Sequence, residues 1–135
     1  MILPMHTPTH GWSADSPPAR MAEELLDWLQ EPGSLTARLA RRWPDVAVQV
    51  LSEGVAPPLP DEAQRLDMGR DERAHAWVRC VQLVGGGVVR LRARTVIPQW
   101  TPGNPWRLVQ QLGTRPLGEL LFSLPGLQRS GFEWS

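Results

Sequence analysis

Apolar residues along this chain change their spacing several times, and each change marks an element. Between residues 20 and 31, Met21, Leu25, Trp28 and Leu29 recur at helical spacing, with Glu23, Glu24, Asp27 and Gln30 largely outside the stripe. Pro32 and Gly33 stop that helix, and Ser34 is a suitable N-cap for a second one from Leu35 to about Trp43, ended by Pro44. The spacing then shortens to alternation: Val46, Val48 and Val50 against Ala47, Gln49 and Leu51 predict a strand, with a bend or bulge at Glu53-Gly54. Residues 56–73 form a long polar connection with a helical turn at 62–66. Two β-branched-rich runs, Ala76 to Val84 and Val88 to Ile97, flank three glycines and predict a hairpin. Asn104-Pro105 opens a helix through Leu112, with Leu108, Val109 and Leu112 as its apolar side and Gly113 at its C′ position. Pro116 starts a short helix over 117–122, and residues 131–135 begin a strand.

The hairpin organises the rest. Side chains alternate faces along a strand, so Trp77, Arg79, Val81 and Leu83 share one face, and Ala76, Val78, Cys80, Gln82 and Val84 the other. Both faces are mostly apolar, which predicts a strand covered on both sides. The guanidinium of Arg79 in that setting needs an acceptor, because an unpaired buried charge is too costly. That acceptor is either internal or a bound anion. On the second strand Arg90, Arg92 and Arg94 fall on one face by alternation; Arg90 and Arg92 read as solvated, and Arg94 lies deeper, beside Val96-Ile97. The two helices before the first strand read either as a pair capping the core or as a lid over a pocket.

Composition narrows the function classes. A chain of 135 residues with formal net charge +0 is one domain without a general electrostatic case for nucleic acid or an anionic membrane. Every basic residue other than histidine is arginine, a bias that advises against reading function into each one. The single cysteine, Cys80, excludes an internal disulfide, fits a reducing compartment and reads as a packed thiol. No apolar run approaches the ~20 residues that cross a bilayer, and Met1 to Met5 is too short and proline-interrupted for a secretory signal, so the expectation is a cytoplasmic protein. Residues 1–19, rich in proline, read as a flexible arm; His6 and His10 within it read as solvated rather than as metal ligands. There is no phosphate loop, zinc-ligand cluster or Ser/His/Asp set, and His75 stands alone.

Several segments together resemble one family. LLDWL (25–29), GSLTARL (33–39), VQVLSEG (48–54), WVR (77–79), RTVIP (94–98) and LGTRPLGELLF (112–122) are similar, in order and spacing, to chorismate pyruvate-lyase. The resemblance runs from about residue 20 to residue 135. It implies an α+β fold: an antiparallel sheet with helices on one face and a helical flap over an internal ligand pocket. It implies a reaction in which chorismate loses its enolpyruvyl group as pyruvate and leaves 4-hydroxybenzoate, for ubiquinone biosynthesis, with no metal or organic cofactor. Carried over by position, Arg79 matches the arginine that grips the ring carboxylate, and Leu117 a backbone contact to the same group. Leu35 matches a flap residue, usually Met, of similar volume. Arg94 matches the arginine of the RTVxP strand, which guides or holds a second carboxylate. The alternative from another class is a non-catalytic, effector-sensing module of the same fold that binds aromatic acids.

Members of that family continue past the position of Ser135 with a hairpin of roughly thirty residues, two strands and a turn. Its last strand carries a glutamate facing the ring hydroxyl. The expectation is therefore a single chorismate lyase-like domain over 20–135, truncated at its C-terminus, and a monomer or an edge-paired oligomer. Glu133 reads as an edge-strand residue, and nothing in the sequence makes Glu53 a substitute for the family's acid.

Overall fold

The structure is a computed structural model, and it describes residues 22–133. The proposed arm, its histidines, Met21 and the last two residues of the expected C-terminal strand lie outside that range. Two short helices open the described chain: α1, Glu23–Leu29, and α2, Leu35–Arg42. Ser34 caps α2 as its sequence predicts, its side chain accepting from the Ala37 N–H at 3.1 Å. Arg38 ties the pair together. It donates to the Asp27 carbonyl at 2.7 Å and to Glu31 at 3.2 Å, pairs with the Asp27 carboxylate, and lies 4.2 Å over the Trp28 ring.

β1, Ala47–Val55, runs further than the valine alternation suggests. The long connection that follows contains two short helices rather than one turn: α3, Pro60–Arg65, and α4, Arg70–Ala74. β2, Trp77–Gly85, and β3, Val88–Ile97, form the predicted hairpin. Gly86 and Gly87 have φ of 61° and 72°, as a two-residue loop between twisted strands requires. The Asp45 carboxylate holds the loop by accepting from the Gly86 N–H at 2.8 Å. Among the described residues the sheet is antiparallel and three-stranded, in the order β1-β2-β3.

Residues 105–111 form a 3-10 helix rather than an α-helix, capped by Asn104, whose side chain accepts from the Trp106 N–H at 2.8 Å. With three residues per turn, the inward stripe is Trp106, Val109 and Leu112. Leu108, which an α-helical spacing would bury, is 46% exposed. α5, Leu117–Ser123, follows Pro116 as expected. Residues 131–133 are not a strand; Glu133 instead pairs with Arg65 of α3.

The helical layer expected on one face of the sheet is there. It divides into two apolar clusters on the face of Trp77, Val81 and Leu83. One joins Ile97, Trp100, Val109 and Leu112, with Trp77, Leu117 and Leu120 against it. The other joins Leu39, Leu83 and Leu91, with Trp28, Leu35, Trp43 and Val81 against it. A third, smaller cluster of Ala63, Met68 and Ala76 packs with Val96 on the opposite face, under α3.

Candidate functional site

Arg79 lies on β2 between Trp77, which packs with the first cluster, and Val81, which packs with the second. Its side chain is 2% exposed. The acceptor that the sequence demanded is internal. Nη1 donates to Glu53 Oε2 at 2.7 Å, and Nη2 donates to the Gly113 and Arg115 carbonyls at 2.7 and 3.3 Å. The cation therefore joins three parts of the chain: the middle strand, the edge strand β1, and the loop that leads into α5.

Two β-bulges decide which groups meet at Arg79. On β1 the register shifts between Val50 and Ser52, so the extra residue is Leu51, not Glu53-Gly54. Continuing the pairing of Val50 with Val81 without that shift would place Ser52 opposite Arg79; the shift places Glu53 there. On β3 the register shifts between Leu83 and Val84 of β2, and the extra residue is Arg90. Without it, the pairing of Val84 with Val89 would continue to Arg79 opposite Arg94. With it, Arg94 pairs with Cys80 and Arg79 with Thr95. Arg90 itself leaves the face of Arg92 and Arg94. It donates to the Gly85 carbonyl at 2.8 Å and stacks 4.0 Å over Trp43.

Arg94 consequently stands on the face opposite Arg79 and does not join it. Its Nε donates to Glu62 Oε1 at 2.7 Å and its Nη1 to Cys80 Sγ at 3.2 Å. Burial works against the charge of Arg94, and the hydrogen bonds to Glu62 and Cys80 outweigh it, raising the guanidinium above its ordinary value. The expectation that Arg94 holds a second carboxylate of the same ligand does not fit this placement, because the sheet separates the two cations. Arg94 lines a small cleft of about 170 Å³ together with Ser52, Glu53, Gly54 and Val78, among others.

Leu35 and Leu117 flank Arg79 on its own face. Leu35 begins α2 and packs on the second cluster; Leu117 begins α5 and packs on the first. Between these helices and β1 runs a cleft of about 510 Å³, lined by Thr36, Val46, Val48, Leu83, Thr114 and Pro116, among others. Thr36 and Pro116 adjoin Leu35 and Leu117, and Thr114 lies between the two residues whose carbonyls take Arg79. Its lining is more apolar than polar and includes Glu119; Arg79, Leu35 and Leu117 are neighbours of lining residues and do not themselves line it. α2 packs as the core-capping reading expects, with Leu39 buried in the second cluster, and Thr36 of its N-terminal turn lines the cleft.

Sequence reasoning missed the roles of Glu53 and Glu62. The signal for Glu62 was present: it stands three residues after Leu59, at the position where a carboxylate reaches back to a helix N-terminus. Its Oε2 accepts from the Leu59 N–H at 2.8 Å. Among the described residues two buried side-chain atoms lack hydrogen-bond partners, Glu53 Oε1 and Trp77 Nε1, and both belong to residues on the face of Arg79. Among the described residues no group of three or more His, Cys, Asp or Glu side chains is placed to hold a metal ion. No described helix is long and apolar enough to cross a membrane.

The loop at Gly113 is open to test. Gly113 has φ of 55°, and a Cβ added there meets nothing within 4 Å. Its cost is therefore conformational. Gly113→Ala is expected to lower stability by about 1 kcal/mol in urea unfolding, and Gly113→Asn by less, since Asn tolerates the left-handed region. Equal losses for both would mean that the backbone geometry at Gly113 is not what matters.

Comparison with known proteins adds the family. A family model described as chorismate lyase matches residues 11–135. A relative from Hydrogenovibrio crunogenus, named probable chorismate pyruvate-lyase, is 44% identical over 110 residues, covering 82% of this chain and 58% of the relative. Relatives of the same name from Aromatoleum aromaticum and Thiobacillus denitrificans are 42% and 45% identical, covering 87% and 78% of this chain and 63% and 55% of their own lengths. The chain thus spans roughly three fifths of the length of these curated relatives.

Proposed function

The chain belongs to the chorismate lyase family, and from that premise we propose that it serves the elimination of pyruvate from chorismate to give 4-hydroxybenzoate for ubiquinone biosynthesis. The observation that carries the reading is a fully buried guanidinium, Arg79, set between two apolar clusters and holding the loop whose Thr114 lines the cleft of about 510 Å³. Arginine suits a benzoate-like ligand because its planar fork matches a carboxylate, where lysine would offer a point charge. Arg79 is the binding and catalytic cation, Leu35 the apolar closure from α2, and Leu117 the backbone contact from α5. The reaction asks for no nucleophile from the protein. The ring C–O bond to the enolpyruvyl group breaks, the ring loses a proton and becomes aromatic, and the departing enolpyruvate takes up a proton as pyruvate. Holding the diacid in a reactive conformation and excluding water supply the catalysis. The protein works in the cytoplasm as a monomer or an edge-paired oligomer.

The test is chorismate incubated with the protein, with chorismate loss followed by absorbance and products by chromatography, beside calorimetry with 4-hydroxybenzoate. Equimolar 4-hydroxybenzoate and pyruvate are expected. Binding of 4-hydroxybenzoate without turnover would give the effector-binding reading instead, and failure to bind or react would overturn both.

A further inference from the structure

Arg79 has a carboxylate partner of its own, and this bears on any anionic ligand that uses the same cation. Glu53 reaches Arg79 only because Leu51 is bulged out of β1; a regular strand would offer Ser52. The Glu53 side chain is 19% exposed, and its single hydrogen bond in the site is the one from Arg79 Nη1, while Oε1 is buried without a partner. Nη2 is taken by two carbonyls. An end-on, two-pronged grip on a ligand carboxylate needs Nη1 and Nη2 together, so the ligand meets Glu53 at Nη1. Two carboxylates converging on one guanidinium repel each other strongly at low dielectric.

We propose that Glu53 sets the affinity of the site for anions, by competing with the ligand carboxylate for Arg79. This rests on the reading that Arg79 grips the ring carboxylate. Glu53 is a positioning residue: it orients the guanidinium through Nη1, and it keeps a carboxylate product from being held too firmly. A purely structural carboxylate would support ligands of one shape equally, whatever their charge. A competing one discriminates against charge.

The experiment compares 4-hydroxybenzoate with its neutral isostere, 4-hydroxybenzamide, by calorimetry on the parent and on Glu53→Gln, which keeps an amide oxygen for Arg79. The variant is expected to bind 4-hydroxybenzoate about tenfold more tightly, from removal of one nearby like charge, and 4-hydroxybenzamide within about twofold of the parent. A common shift for both ligands, or weaker binding of the benzoate alone, overturns the proposal while leaving Arg79 as the anion site. If the parent binds neither ligand, the site reading fails and this inference with it. Should Glu53→Gln not fold, the parent decides the matter by NMR. The Glu53 side-chain carboxyl carbon resonance is expected to move on saturation with 4-hydroxybenzoate and to stay in place with 4-hydroxybenzamide; a resonance that ignores the benzoate overturns the competition.

Discussion

Arg79→Ala is expected to weaken 4-hydroxybenzoate binding by roughly 100-fold or more, since two charge-assisted hydrogen bonds are lost at about 1.5–3 kcal/mol each. The same change also removes the cation that compensates Glu53 and the donor that holds the Gly113 and Arg115 carbonyls. Breaking one side of a buried pair costs about 3–5 kcal/mol, and the partial exposure of Glu53 favours the low end of that range. Urea unfolding should therefore show a loss near 3 kcal/mol alongside the loss of binding. The two effects can be separated. Arg79→Met combined with Glu53→Gln leaves no orphan charge, so it should recover most of the stability and none of the affinity for 4-hydroxybenzoate. A stable double variant that binds as well as the parent would remove Arg79 from the site.

How much of this was legible beforehand depends on what each element answers to. The hairpin was, because β-branched alternation on both sides of three glycines is a local signal. So was the need of Arg79 for an acceptor, since it follows from one cation on an apolar strand. The identity of the acceptor was not. It hangs on a single extra residue, Leu51, and periodicity shows that a strand continues without showing where it slips. The same holds for Arg94. The RTVIP segment could be read, but the face on which its arginine stands depends on the bulge at Arg90, which is fixed by that side chain folding onto Gly85 and Trp43. Residues 105–111 misled through period: three residues per turn bury Val109 and Leu112 just as an α-helix would, and only Leu108 tells the two apart. Of the strand expected over 131–135, the described residues 131–133 are not extended into the sheet: alternation over so few residues carries little information, and Glu133 finds Arg65 instead.

The second large effect lies on the other face of the sheet. Glu62→Ala is expected to destabilise the protein by about 3 kcal/mol, the low end of the cost of breaking one side of a buried pair, since the Arg94 left behind is 17% exposed. Both oxygens of Glu62 are engaged, Oε1 by Arg94 at 2.7 Å and Oε2 by the Leu59 N–H at 2.8 Å, and its side chain is 0% exposed. Its loss strips α3 of its N-terminal acceptor and leaves Arg94 with the Cys80 sulfur and the Pro57 carbonyl at 3.5 Å, both weak compensation. For a domain whose whole stability is about 5–15 kcal/mol, this is a large fraction of the total. Replacing the pair together, Glu62→Leu with Arg94→Met, should restore much of the loss, since an apolar pair of similar volume can match a buried ion pair. Binding gives the sharper test. Because Arg94 and Glu62 stand behind the sheet from Arg79, the folded double variant should bind 4-hydroxybenzoate as the parent does. A loss of affinity comparable to that of Arg79→Ala would mean that ligand reaches both cations, and that the separation set by the bulge at Arg90 does not hold in solution.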